Sequence, residues 1–257
     1  MKSAYSILTI AILALGQLPA QETSLTSAKG IFMDSGQTGK PGVKFNVLLV
    51  RGDETSQVPA TYRFRDGDKL VFQMETNRES YVYVLNRTIF GNPANLTEYA
   101  AKGIKIEAPA NAEKPKMSRY RLLFPTPDSG RENRLKANRM VTVPTGRVPF
   151  QMDSEPGIEK LYVVVSQQPI DLAKYFDMES GSPRRNDRNN GGGNNNDRPA
   201  NDTDSDVTGQ LRAWSDNAKV AYAPEKGIGI ASSQSYGIVV DSAKPMVVEV
   251  SLKHYSR

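Results

Sequence analysis

Between residues 153 and 159 the chain reads DSEPGIE, which sets three carboxylates, Asp153, Glu155 and Glu159, around a Pro156-Gly157 turn. Neighbouring carboxylates do general acid–base work when one is held protonated in a dry site while the other stays ionised, as in glycoside hydrolysis. Spacing along the chain defines neither the separation nor the burial of these groups, and a charged turn is the expectation for the stretch. Asp66 and Asp68 flank Gly67 in RDGDK. An Asp-Gly pair closes tight turns, because glycine accepts positive φ and aspartate bonds its own backbone, so a turn is expected here rather than a metal pair. Ser166 as a nucleophile would need His254, the single histidine, as its base, and it lacks a G-x-S-x-G context. His254 shares the parity of Val248, Val250 and Leu252, which predicts a histidine at the end of a buried strand face.

Other patterns lead less far. DTDSD (202–206) spaces aspartates as a calcium loop begins, but Val207 stands where that loop needs glycine and Ala213 where it needs a bidentate glutamate. It reads as a solvated acidic tract. GGG at 191–193 precedes asparagines rather than a helix, so it is no phosphate cradle. The absence of cysteine removes thiolate chemistry, a disulfide framework and a cysteine-borne lipid. No catalytic residue, metal ligand or cofactor is assigned.

Charge is the more informative feature. From 119 to 147, Arg119, Arg121, Arg131, Arg134, Lys136, Arg139 and Arg147 stand against Asp128 and Glu132; seven minus two equals the net +5 of the whole chain. The bland expectation is a solvated loop. The functional one is an anion-facing surface on Arg131, Arg134, Lys136 and Arg139 for an acidic envelope protein, an anionic polymer or lipid headgroups. Nucleic acid is disfavoured, because the sequence carries no nucleic-acid motif.

The elements that must position these residues are mostly strands. The first residues, MKSAYSILTIAILALGQLPAQ, combine Lys2, an apolar run from Ala4 to Leu15 and small Ala20. This predicts a signal peptide over 1–20 and an exported chain, periplasmic or extracellular. The run is shorter than the ~20 residues of a membrane-spanning helix, and no transmembrane segment is expected in the mature chain. Period-two alternation predicts strands at 43–51, 69–76, 81–86, 140–144 and 159–166, with 81–86 apolar on both faces. Pro125 and Pro127 should stop the RLLF strand, since proline has no N–H for a ladder. Residues 91–118 read as an inserted loop with a helical stretch at 96–101, and PIDLAKYF (169–176) as a short helix led by Asp171. The Asn-, Gly-, Asp- and Arg-rich tract, 177–210, is predicted to be disordered, its centre holding no aliphatic larger than alanine. Residues 211–257 are expected to form a hairpin docked on the β domain of 21–176. The predicted fold class is mainly β, an antiparallel sandwich-like domain with one short helix.

The order YRFRDGDKLVFQMETNRESYVYVLNR, LLFP, VTVP and FQMDSEPGIEKLYVVVSQQPI resembles the bacterial domain of unknown function 4384 over residues 60–172. Ser80 stands where that family usually has glycine, and the insertion at 91–118 is longer than expected. The resemblance implies an exported or envelope-associated module without catalytic residues. The expectation is therefore a non-catalytic binding or structural module, with a carboxylate-dependent hydrolase of an envelope polysaccharide as its rival. A cleft lined by convergent acids, one desolvated, would favour the enzyme, and a basic or flat apolar surface would favour binding.

Overall fold

The computed structural model describes residues 32, 39–58, 61–96, 115–146, 148–182, 201–224, 231–239, 241 and 243–256. The predicted signal peptide, all but Leu96 of the helical stretch at 96–101, and Arg147 lie outside them. In chain order the elements are β1 (Gly42–Arg51), β2 (Glu54–Gln57), β3 (Arg63–Arg65), β4 (Lys69–Thr76), β5 (Ser80–Phe90), β6 (Arg121–Phe124) and β7 (Arg134–Leu135). There follow β8 (Val141–Val143), β9 (Phe150–Gln151), β10 (Gly157–Ser166), α1 (Asn201–Ser215), β11 (Ala218–Pro224), β12 (Ala231–Val239) and β13 (Met246–Tyr255). One sheet runs β11-β12-β1-β4-β8, with β2 beside β1 and β9 beside β4; the other runs β3-β13-β10-β5-β6, with β7 beside β5. All of these pairings are antiparallel except β3 with β13.

Alternation decides how the sheets meet. Val43, Phe45, Val47 and Leu49 of β1 and Leu70, Phe72 and Met74 of β4 face Val82 and Val84 of β5, Leu161, Val163 and Val165 of β10, and Val248, Val250 and Leu252 of β13. Each fully buried side chain of this size contributes about 1.5–3 kcal/mol. The chain is thus the mainly β sandwich its alternation predicts. The outer face of the second sheet is apolar too: Tyr83, Leu85, Tyr162, Val164 and Val247 are covered by Leu172, Tyr175, Phe176, Val207 and Leu211. The same face holds Lys160, whose side chain is fully buried and ion-paired with Glu249.

Three expectations are corrected. PIDLAKYF is a single turn, not a helix: Tyr175 and Phe176 both donate to the Leu172 carbonyl (2.9 and 3.0 Å), and Asp177 then folds back, accepting from Gly181 N at 2.7 Å. The helix lies instead at Asn201–Ser215, starting within the tract read as disordered (177–210) and running past its end, and Asp177–Ser182 is likewise ordered. Val207, Leu211 and Trp214, at i, i+4 and i+7, form a stripe that docks on the outer face and draws the polar residues before it into helix. Asp204 fixes the helix further by accepting from Tyr120 N (3.4 Å), and Thr208 Oγ1 donates to Tyr120 Oη (3.2 Å). The tract's remainder, 183–200, lies outside the described residues.

The last two strands are not a hairpin. β12 pairs with β1 and β11, whereas β13 pairs with β10 and β3 in the opposite sheet. Asn217 holds the crossover open, its Nδ2 donating to the carbonyls of Asp241, Lys244 and Pro245 (3.0 Å each) while its Oδ1 accepts from Asp241 N (2.8 Å). The insertion begins and ends on the sheet, Phe90 N donating to the Lys116 carbonyl (2.9 Å) and Ser118 N to that of Thr88 (2.8 Å). Among the described residues, no helix is long and apolar enough to cross a membrane.

Candidate functional site

Along β10 the inward parity runs Val165, Val163, Leu161 and then Glu159. Register carries the same change across the sheet: Val84 lies opposite Val163, Asn86 opposite Leu161 and Thr88 opposite Glu159 on β5. On β13, Leu252 lies opposite Glu159, and His254 opposite Gly157. Arg121 of β6 joins the row opposite Asn86, after an irregularity that shifts the β5–β6 register. One end of the sandwich interior is therefore polar, and there the sheets part into an open cleft of about 690 Å³. Phe72, Phe90 and Phe150 line it alongside Asn86, Thr88, Arg121 and Glu159. Gly157 is required at the cleft's end, since a Cβ there would lie 2.4 Å from the Ile89 carbonyl oxygen of the adjacent strand.

The RDGDK turn positions the other acids. Asp68 N donates to the Arg65 carbonyl (2.9 Å) and Asp68 Oδ2 accepts from Arg65 N (2.9 Å), which is the expected turn. Gly67 N then donates to the Met152 carbonyl (3.0 Å), and Met152 N to that of Asp68 (2.9 Å), bringing Asp153 to the site. His254 is wholly enclosed at the end of the inward face of β13, as its parity predicts. Its Nε2 lies 3.0 Å from Asp66 Oδ1 and its Nδ1 3.9 Å from Asp153 Oδ1. Asp153 also accepts from Glu155 N at 2.9 Å.

Glu159 is the central group. Its Oε2 accepts from Asn86 Nδ2 (2.8 Å) and Thr88 Oγ1 (2.9 Å). Burial raises its pKa above the usual carboxylate value; the Asn86 and Thr88 hydrogen bonds oppose the rise, Asp153 adds to it and His254 opposes it. Because the native state holds this proton more tightly than the unfolded chain, stability falls as pH climbs from the ordinary glutamate value through the raised one. Glu159→Gln keeps an acceptor for Asn86 and Thr88 but has no proton to lose. It is expected to flatten that slope and to be at least as stable as the parent at neutral pH, as read by denaturant midpoints across pH 4–8.

The DSEPGIE carboxylates are thus more than a charged turn, since Asp153, Glu155 and Glu159 all line the cleft. Asn86, Thr88 and Arg121 are its unforeseen members. The lining holds Asp128, Asp153, Glu155, Glu159 and Glu179 against Arg119 and Arg121, so the cleft is acidic. Two of the four residues singled out in the basic stretch are ion-paired. Arg131 makes a two-pronged pair with Glu179 (3.2 and 3.1 Å), and Arg134 pairs with Glu79 (2.5 Å), which raises the Arg134 pKa. Lys136 and Arg139 are exposed at a turn in which Arg139 N donates to the Lys136 carbonyl (3.3 Å). Ser166 sits at the opposite end of β10 from His254's partner Gly157, roughly 30 Å along the strand, so the two form no catalytic pair. The DTDSD aspartates belong to α1. Among the described residues no group of three or more His, Cys, Asp or Glu side chains could hold a metal ion.

No family model, no curated protein and no solved structure matches the chain.

Proposed function

We propose that the chain is an exported, non-catalytic binding module of the bacterial cell envelope that takes a polar ligand in the cleft at the open end of the sandwich. The observation that carries this reading is the row Asn86, Thr88, Arg121 and Glu159 at inward-facing positions beside an aromatic wall. Ligand sites combine an apolar surface with a few convergent polar groups in this way. The signal peptide expected over residues 1–20 and the resemblance of residues 60–172 to an envelope family support the location. The acidic lining and the pairing of Arg131 and Arg134 weaken an anionic partner on the basic loop.

Titration of the isotope-labelled chain with saccharide, peptide and lipid fractions of envelope extract tests this. Amide shifts centred on Asn86, Thr88 and Gln151 are expected. Shifts confined to Lys136 and Arg139 would move the site to the basic loop, and no shift with any fraction would overturn the proposal.

The rival, a carboxylate-dependent hydrolase of an envelope polysaccharide, is favoured by one observation: a desolvated Glu159 shares the cleft with Asp153. Binding is the primary reading because Asn86, Thr88 and Arg121 add convergent polar groups for ligand recognition that an acid–base pair does not need. Release of reducing ends that Glu159→Gln abolishes without unfolding the chain would establish the hydrolase.

A further inference from the structure

We infer that the cleft is built for a short zwitterionic peptide about three or four residues long, its ammonium group on the carboxylates around Glu159 and its carboxylate on Arg121. This rests on reading the cleft as a ligand site and names the ligand's chemical class.

Charge separation across the second sheet is the first argument. Arg121 lies on β6 and Glu159 on β10, with β5 between them. Arg121 lies opposite Asn86 and Glu159 opposite Thr88, so two strand spacings of about 4.8 Å across and two residues of about 3.4 Å along put their backbones roughly 12 Å apart. Arg121 is exposed and forms no ion pair among the described residues, although five carboxylates line the same cleft. Glu159 uses only Oε2 in hydrogen bonds, leaving Oε1 without one among the described residues. The two ends of the cleft thus offer opposite charges that do not satisfy each other.

An extended peptide spans at most 3.3–3.6 Å per residue, so a separation of roughly 12 Å corresponds to about three or four residues between terminal charges. The cleft also has an aromatic side: Phe72 and Phe150 of the opposite sheet pack with ring centroids 5.0 Å apart, and Phe90 lines the same cleft. Such a surface takes an apolar side chain from the middle residue. A neutral saccharide would use the carboxylates and the rings but would bring no counter-charge for the guanidinium. Electrostatic complementarity of this kind selects partners by penalising those that leave a charge unmatched.

Calorimetry of the chain with the tripeptide Ala-Phe-Ala tests the inference, using its N-acetylated form, its C-terminal amide and a neutral chitin oligosaccharide as comparisons. The free tripeptide should bind, and blocking either end should weaken it at least tenfold. Arg121→Gln, at an exposed position that does not threaten folding, should erase the preference for free acid over amide yet keep that for free amine over acetyl. Glu159→Gln combined with Asp153→Asn should do the reverse. Equal binding of free and blocked peptides, or binding of the saccharide alone, would overturn the peptide assignment and leave the cleft a ligand site. If no probe binds and the Asn86 and Thr88 resonances stay unshifted, the peptide assignment falls with these probes, while the envelope-fraction titration separately decides the cleft reading.

Discussion

Glu249→Ala should destabilise the fold by about 3–5 kcal/mol, the cost of breaking a buried ion pair from one side. Lys160 is fully enclosed on the outer face of β10 and Glu249, one strand away on β13, is 19% exposed, so solvent screens the pair little. Removing the carboxylate leaves the ammonium group where water does not reach it. Replacing both members with apolar residues, Lys160→Met with Glu249→Leu, should restore most of the loss, because the desolvation penalty disappears along with the attraction. Urea unfolding of the parent, the single and the double variant measures both effects. If the single variant is as stable as the parent, the pair does not hold the sheet.

Phe72→Ala should cost about 3–5 kcal/mol as a buried aromatic deletion, and it should damage the cleft as well. Phe72 is 1% exposed, with Phe45 at 5.3 Å and Phe150 at 5.0 Å between ring centroids, so its ring is both core and cleft wall. Phe150 is only partly buried and lies on the two-residue strand β9. Phe150→Ala should therefore weaken ligand binding with a smaller loss of stability. Comparing denaturant midpoints with tripeptide affinity for the two variants separates the roles, and a Phe72→Ala chain of parental stability would contradict the packing described.

The strands were legible because two-sided burial writes itself as period-two or continuous apolar runs: KLVFQMET and YVYVLN became β4 and the start of β5, and EKLYVVVS most of β10. What alternation cannot express is which strands share a sheet. The runs either side of Ala243-Lys244-Pro245 read as a hairpin, and only the Asn217 clamp and the competing ladders of β1 and β10 separate them. Helix α1 was hidden because its stripe starts at Val207, at the edge of an otherwise polar tract. The cleft was half visible. Glu159 continues the inward parity of Leu161 and Val163, and Asn86 that of Val84, but their meeting depends on the β5–β10 register, and Arg121 enters only through a register shift. The four basic residues were readable as charge, while Glu79 and Glu179, 55 and 48 positions away from Arg134 and Arg131, were not readable as their counter-ions.

The place of β13 in its sheet also bears on the timing of folding during synthesis. Residues 246–255 lie between β3 and β10, so on a ribosome the second sheet closes only after Tyr255 has emerged. Until then one edge of β10 has unpaired backbone groups beside Leu161, Val163 and Val165, and such an edge invites pairing with other chains. Pairings this distant in sequence also fold slowly, because the loop between them must close before the contact forms. A nascent chain of this protein thus passes through an interval in which it is complete enough to collapse and not yet able to cover its own edge, the condition in which holdase chaperones protect a client.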